Sequence, residues 1–251
     1  MIDLAGHHVF IAGGSRGIGR AAALFAARAG ANVAVNYLSR RDAAEEVVAQ
    51  VRALGREAVA LQGDVSDDGV AKDLIGQAVD ALGPLRGLVV SAGVFEPGPI
   101  DEMTSAFWDH TMKVNVRGTF LAVQAAAPHL RAAGGGSIVI YTSTAGQRGS
   151  DVYSAYATSK GAQILFMRSM AKELGADRIR VNCIAPAWTE TDMAAPSLDA
   201  LGRDEVAAQF TLGRIGLPED IAGATVYLLS DLASFVTGMT LTVDGGMDMR
   251  G

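Results

Sequence analysis

Short runs of apolar, often β-branched residues alternate along the whole chain with longer stretches in which apolar positions recur every three or four residues. This alternation is the pattern of repeated βα units around a parallel sheet. It predicts strands at 9–12, 32–37, 58–62, 87–91, 137–142, 180–184 and 240–243. Most of these are continuous apolar runs rather than alternating ones, as expected where helices cover both faces. Helices are predicted at 18–29, 43–54, 70–82, 105–132, 153–174 and 218–230. Two of them carry start signals, Ser66 before Asp67 and Asp68, and Pro218 before Glu219 and Asp220, which place acids where they favour the helix dipole. No repeat, linker or composition shift marks a second domain, so residues 1–251 read as one α/β domain. The longest interruption of the rhythm, about 188–204, reads as a binding loop.

Composition narrows the class. With 251 residues, 49% of them apolar, the chain can bury a core without help from disulfides or a structural metal. The single cysteine, Cys183, can form no intrachain bridge, and His7, His8, His110 and His129 lack metal-ligand spacing, so no metal is expected. The 21 basic and 27 acidic residues give a net charge of −6 without long runs of either sign, which argues against a nucleic-acid surface or a basic membrane patch. No apolar stretch approaches the roughly 18 residues of a membrane span, and an acid at Asp3 replaces a basic signal region, so a cytoplasmic protein is expected. The unusual number is glycine, 30 residues, about 12% against an ordinary level of about 7%.

Several of these glycines fall between the first strand and the first helix, in Ala12-Gly13-Gly14-Ser15-Arg16-Gly17-Ile18-Gly19. Glycines at 13, 17 and 19 allow a tight turn, close backbone approach to an anion and close helix packing, with the helix N-terminus aimed at a diphosphate. The spacing Gly-x-x-x-Gly-x-Gly differs from the strict dinucleotide fingerprint. Tyr156 and Lys160 lie four apart on a predicted helix, about 40° around its axis and about 6 Å along it, so both can act on one site. A phenol with a pKa near 10 is a poor acid-base group at neutral pH; bringing it to about 7 takes roughly 4 kcal/mol, which a nearby ammonium and a cationic ring would supply.

Together with Asp64-Val65, Ser91-Ala92-Gly93, Asn115, Ser143, the Tyr156-x-x-x-Lys160 pair, Pro186 to Thr191, and Val243-Asp244-Gly245-Gly246, the chain resembles the short-chain dehydrogenase/reductase family over nearly its whole length. The resemblance implies a doubly wound Rossmann-type domain with a seven-stranded parallel sheet. It implies hydride transfer between a nicotinamide cofactor and a carbonyl or secondary alcohol, with Tyr156 as proton donor or acceptor and Lys160 at the nicotinamide ribose. Ser143 would bond the substrate oxygen, and Asn115 would hold a water for proton relay. Asp64 would accept from the adenine amine. Gly13, Ser15, Arg16, Gly17, Ile18, Gly19, Val65, Ser91, Ala92, Gly93, Pro186, Thr189 and Thr191 would complete the cofactor site.

Tyr37, where an acid would select NAD, is followed by Ser39, Arg40 and Arg41; with Arg16, these residues favour NADP(H) over NAD(H). Phe95, Thr144, Gln147, Tyr153, Trp188 and Met193 are expected to wall the substrate pocket. Ala12, Ser91 and Ala187 stand where the family commonly has threonine, asparagine and glycine. The helix after Tyr153 is apolar nearly all round, which predicts burial by the sheet and by another subunit, as in the family's tetramers.

The most similar type is the 3-oxoacyl-carrier-protein reductase. Arg117, Arg131, Arg148 and Lys172 are the candidate basic rim for a carrier protein. A free ketone or a catabolic alcohol stays open as the substrate. A nucleotide sensor without turnover is the alternative from another class.

Overall fold

The computed structural model describes residues 2–249. In chain order the elements are β1 (His8–Ala12), α1 (Gly17–Arg28), β2 (Asn32–Tyr37), α2 (Arg41–Ala53), β3 (Ala58–Gln62), α3 (Val70–Leu82) and β4 (Leu85–Val90). Next come α4 (Ser105–Met112), a π-helical turn (Lys113–Arg117), α5 (Gly118–Ala132), β5 (Gly136–Tyr141), α6 (Thr144–Arg148), α7 (Ser154–Leu174) and β6 (Ile179–Pro186). The chain ends with α8 (Ala195–Leu201), α9 (Arg203–Ala207), α10 (Pro218–Leu229) and β7 (Thr240–Val243).

The seven strands are all parallel, in the order β3-β2-β1-β4-β5-β6-β7. The order reverses between β1 and β4, and in open α/β sheets the crevice beyond the strand ends at such a point binds ligands. On one face α1, α2 and α10 bury Ala22, Ala26, Val47, Val51, Ile221 and Leu228. On the other, α3, α5 and α7 bury Ile75, Leu130 and Met167 against Phe10, Leu88 and Ile138. Each of these larger side chains gains about 1.5–3 kcal/mol from leaving water. Cys183 lies fully buried in this second layer, and burial pushes its thiol up to about 12, consistent with a small core residue. Among the described residues no helix is long and apolar enough to cross a membrane.

Two predicted features take a different form. The helix expected at 105–132 is interrupted by the π turn at Lys113–Arg117, whose extra residue per turn follows from the buried hydrogen bonds of Asn115 described below. The segment expected as a loop at 188–204 contains α8 and the start of α9. A small core of its own (Ala194, Leu198, Val206, Phe210 and Ile215) holds these short helices, and Trp188 and Met247 pack against it. The start of α10 follows the sequence signal: Pro218 opens it, and the Asp220 carboxylate accepts from the Leu217 N–H at 2.7 Å.

At the opposite end of the sheet, His8 is buried with Nδ1 2.9 Å from the Gly83 carbonyl oxygen. Burial lowers its pKa below the ordinary 6.5, against the Gly83 bond, which raises it. The fold therefore penalises the imidazolium, so the stability tied to this group is complete above pH 6.5 and is lost as the pH falls below that value. His8→Gln, which keeps a donor for Gly83 but cannot titrate, is expected to show a smaller drop in melting temperature than the native chain between about pH 7 and about pH 5. Equal drops would mean that His8 is not the responsible group.

Candidate active site

A cleft of about 460 Å³ runs along the carboxyl ends of the central strands. Its floor is set by β5 and α7. Ser143 follows β5 in extended conformation and caps α6, its Oγ accepting from the Ala145 N–H at 3.1 Å. The same hydroxyl lies on the Tyr156 side of the cleft and favours the phenolate. One turn further along α7, Lys160 is buried, with Nζ donating to the Tyr141 carbonyl at 2.8 Å and lying 5.6 Å from the centre of the Tyr156 ring.

Without the cationic ring, the electrostatics of the polypeptide alone are set by burial. Burial pushes Tyr156 up to about 12, with the neighbouring Ser143 hydroxyl pulling it back, and burial pushes Lys160 down to about 8. In the polypeptide alone desolvation dominates both groups, and the hydrogen bond that Nζ makes is to the Tyr141 carbonyl. The residues hold a neutral phenol ready to donate.

Asn115 is held by several hydrogen bonds. Its Nδ2 donates to the Val94 carbonyl at 3.0 Å and to Ser159 Oγ at 2.9 Å, and its Oδ1 accepts from the Val94 N–H at 2.8 Å. Its own carbonyl accepts from Thr119 Oγ1 at 2.7 Å and from Gln163 Nε2 at 2.8 Å. These contacts tie the segment after β4 to α7.

At the other end of the cleft the glycine loop is shaped for an anion. Gly13 has φ +76°, and a Cβ there would lie 2.7 Å from the Ala92 nitrogen; a Cβ on Gly19 would lie 2.2 Å from the Gly13 carbonyl oxygen. Arg16, at the N-cap of α1, is extended and gives the helix no side-chain cap, so the first-turn N–H groups face the cleft that Ser15, Arg16, Gly17 and Ile18 line. This backbone cradle fits a dinucleotide diphosphate. Tyr37, Ser39, Arg40, Asp64, Val65, Ser91, Ala92 and Gly93 line the same cleft. The Asp64 Oδ1 accepts from the Ser66 N–H and Oγ at 2.8 and 2.7 Å, which fixes the carboxylate at the rim. Arg41 turns away to Glu45, so of the three arginines named for the cofactor only Arg16 and Arg40 face the cleft. The strand ends carrying Ala12 and Ser91 are neighbours, joined by Ser91 N–H to Ala12 O at 2.9 Å, so the main chain supplies a tie there.

The substrate end is aromatic. Phe95 stacks on Tyr153 with ring centres 4.4 Å apart and meets Tyr156 and Trp188 edge-on at 4.8 and 5.6 Å. Phe95, Thr144, Trp188 and Met193 line the cleft, as do Pro186, Thr189 and Thr191. Tyr153 stands behind Phe95 instead, its hydroxyl 2.9 Å from Ser197 Oγ on α8. Gln147 is a correction: α6 carries it outward, where its amide bonds Thr242 on β7 at 3.2 Å, and Arg148 and Ser150 take its place on the wall. Sequence reasoning also missed Met247, brought over the cleft by the C-terminal turn, and Asn36. Asn36 is buried in β2, accepts from the Gly13 N–H at 3.3 Å and donates to the Leu61 and Gly63 carbonyls at 3.2 and 3.0 Å. An amide inside the apolar run NVAVNY was the available signal.

The switch-point cleft, the glycine cradle and the buried tyrosine-lysine helix together define a nucleotide-dependent oxidoreductase of the Rossmann type. Residues 12–248 match a family model described as enoyl-(acyl carrier protein) reductase. The chain is 40% identical over 246 residues to an L-rhamnose 1-dehydrogenase (NAD(P)(+)) from a Sphingomonas species, covering 97% of each. It is 36% identical over 239 residues to a 3-oxoacyl-acyl-carrier-protein reductase of Staphylococcus aureus, covering 95% of this chain and 97% of the relative. Among solved structures, a dehydrogenase/reductase from Sinorhizobium meliloti superposes with a TM-score of 0.92 at 37% identity over 99% of this chain and 97% of that one. A short-chain type dehydrogenase/reductase from Mycobacterium ulcerans gives 0.92 at 33% identity over 98% of this chain and 90% of that one. The chain belongs to the short-chain dehydrogenase/reductase family and is an NAD(P)-dependent oxidoreductase acting on CH–OH or carbonyl groups.

Proposed function

We propose that the protein interconverts a free, small ketone or carbonyl compound and the matching alcohol, sugars included, with NADP(H) preferred. The observation that carries the reaction is the half-buried Tyr156 phenol, set beside Ser143 and backed by the buried Lys160 in the cleft that the glycine loop also lines. The bound nicotinamide would supply or accept the hydride. Gly13, Gly17, Gly19 and the α1 N-terminus hold its diphosphate, Asp64 and Val65 flank the adenosine side, and Thr189 and Thr191 flank the other end. Ser143 orients the substrate oxygen toward Tyr156, which gives it a proton in reduction and removes one in oxidation. Phe95 and Trp188 cover the reacting face and exclude water.

A free substrate is favoured over one tethered to a carrier protein because three of the four candidate rim cations are paired with carboxylates. Arg117 pairs with Asp68 and Arg131 with Asp177, both at 2.5 Å, and Arg148 lies 3.7 Å from Asp248. The resemblance to the L-rhamnose enzyme points the same way. The test is turnover followed by absorbance of the reduced nicotinamide across aldoses, simple ketones, secondary alcohols and a 3-oxoacyl thioester. The carrier-tethered reading predicts the thioester as the best substrate.

For the cofactor, Arg16 and Arg40 beside Tyr37 and Ser39 suit a 2′-phosphate. Replacing either arginine by alanine is expected to raise KM for NADPH about tenfold to a hundredfold, the worth of a charge-assisted hydrogen bond, while KM for NADH changes little. Equal effects on both cofactors would remove the basis for the preference.

The assembly we propose is a homotetramer. The side of α7 turned away from the sheet carries Leu165, 64% exposed, next to Phe166, which meets the exposed Phe120 of α5 edge-on. A second copy would cover this face.

A further inference from the structure

We infer that Gln163 is a positioning residue for the reaction: its amide holds the π turn at Asn115 in the shape that places Phe95 against Tyr156. The inference rests on the oxidoreductase reading above. Gln163 lies on α7, seven residues after Tyr156 and three after Lys160, and only 1% of its surface is exposed. Nε2 donates to the Asn115 carbonyl at 2.8 Å and to Thr119 Oγ1 at 2.6 Å. Oε1 is buried and has no hydrogen-bond partner among the described residues.

A buried unpaired acceptor is a standing cost that a leucine of similar volume would not carry. The amide is therefore explained by what its donor does. The Asn115 carbonyl lies within the π turn, and the side chains of Gln163 and Thr119 both donate to it. With the main chain so fixed, the Asn115 side chain reaches Ser159 on α7 and brackets the Val94 N–H and carbonyl. Val94 precedes Phe95, whose ring meets Tyr156 edge-on at 4.8 Å. The path leaves α7 at Gln163 and returns to it at Tyr156 through the wall of the substrate pocket.

The test uses the full-length protein with Gln163→Leu and Gln163→Glu. Protonated glutamic acid can donate the same bond to the Asn115 carbonyl; the carboxylate cannot. Two groups of α7 and β6 lie near it: Lys160, and Cys183, whose thiol donates to the Gln163 carbonyl at 3.9 Å. The expected result for the leucine variant is retained cofactor affinity with kcat lowered about tenfold to a hundredfold, the scale of a misplacement of about 1 Å. The glutamate variant is expected to match it at high pH and to recover toward the native chain as the pH falls. Hydrogen exchange read at 92–98, where the Val94 N–H is held, is expected to quicken in the leucine variant whether or not a substrate is known. Native kcat in both variants, or equal losses in both at every pH, overturns the inference. Absence of turnover by the native chain on every alcohol and carbonyl would instead overturn the functional reading and leave the exchange result to decide the network.

Discussion

Tyr156→Phe is expected to lower turnover about 10²- to 10⁴-fold, the range for loss of a positioned proton donor, with cofactor affinity unchanged within a factor of about two. The substitution removes one oxygen and keeps the ring, so the edge contact with Phe95 at 4.8 Å and the packing of α7 survive. Ser143 keeps its bond with the Ala145 N–H, so the serine does not lose its place. The pH dependence adds a second readout. Burial holds the phenol up to about 12, so it is protonated at neutral pH and competent to donate in carbonyl reduction. Alcohol oxidation needs the phenolate, whose share grows as the pH rises toward that value, so the native oxidative rate climbs with pH. The phenylalanine variant loses this climb. Unchanged turnover in Tyr156→Phe would remove the proton-transfer role. A native chain that binds the cofactor tightly but turns over nothing would favour the nucleotide sensor.

The parts of the molecule that were legible in the sequence are those fixed by short-range rules. Continuous apolar runs must be covered on both faces, which gave the parallel sheet, and the glycine spacing gave the cradle between β1 and α1. The tyrosine-lysine spacing placed both groups at one site because a helix turn does so geometrically. What stayed hidden depends on contacts far apart in the chain. The π turn at Asn115 is stabilised by Gln163, 48 residues away. The fold of 188–204 depends on Phe210 and Ile215 to complete its small core. Gln147, expected on the pocket wall, has its amide bonded to Thr242, 95 residues on. The phenol's ionisation in the polypeptide alone is hidden for a related reason. Spacing brings Lys160 close, but only the packed structure shows that Nζ is committed to the Tyr141 carbonyl and that desolvation dominates both groups.

Two glycine-to-alanine changes separate helix propensity from close approach. Alanine is the better helix former by about 1 kcal/mol, so propensity alone predicts that either Gly19→Ala in α1 or Gly76→Ala in α3 stabilises. At Gly76 nothing lies within 4 Å of the added methyl group, so a gain of about 0.5–1 kcal/mol is expected, read as a small rise in melting temperature. At Gly19 the methyl group would sit 2.2 Å from the Gly13 carbonyl oxygen and 3.0 Å from Ser91 Oγ. The first contact is with main chain, so no rotamer change relieves it and the loop itself must move. Overpacking of this kind costs about 1–3 kcal/mol, which outweighs the propensity gain. Moving the loop also drags the Gly13 N–H from Asn36 and spoils the backbone that faces the diphosphate. Gly19→Ala is therefore expected to melt lower than the native chain and to weaken cofactor binding, by titration calorimetry, at least about tenfold, an extra loss of about 1.4 kcal/mol. Native affinity in this variant would mean that the glycine loop does not hold the diphosphate, whatever the family resemblance.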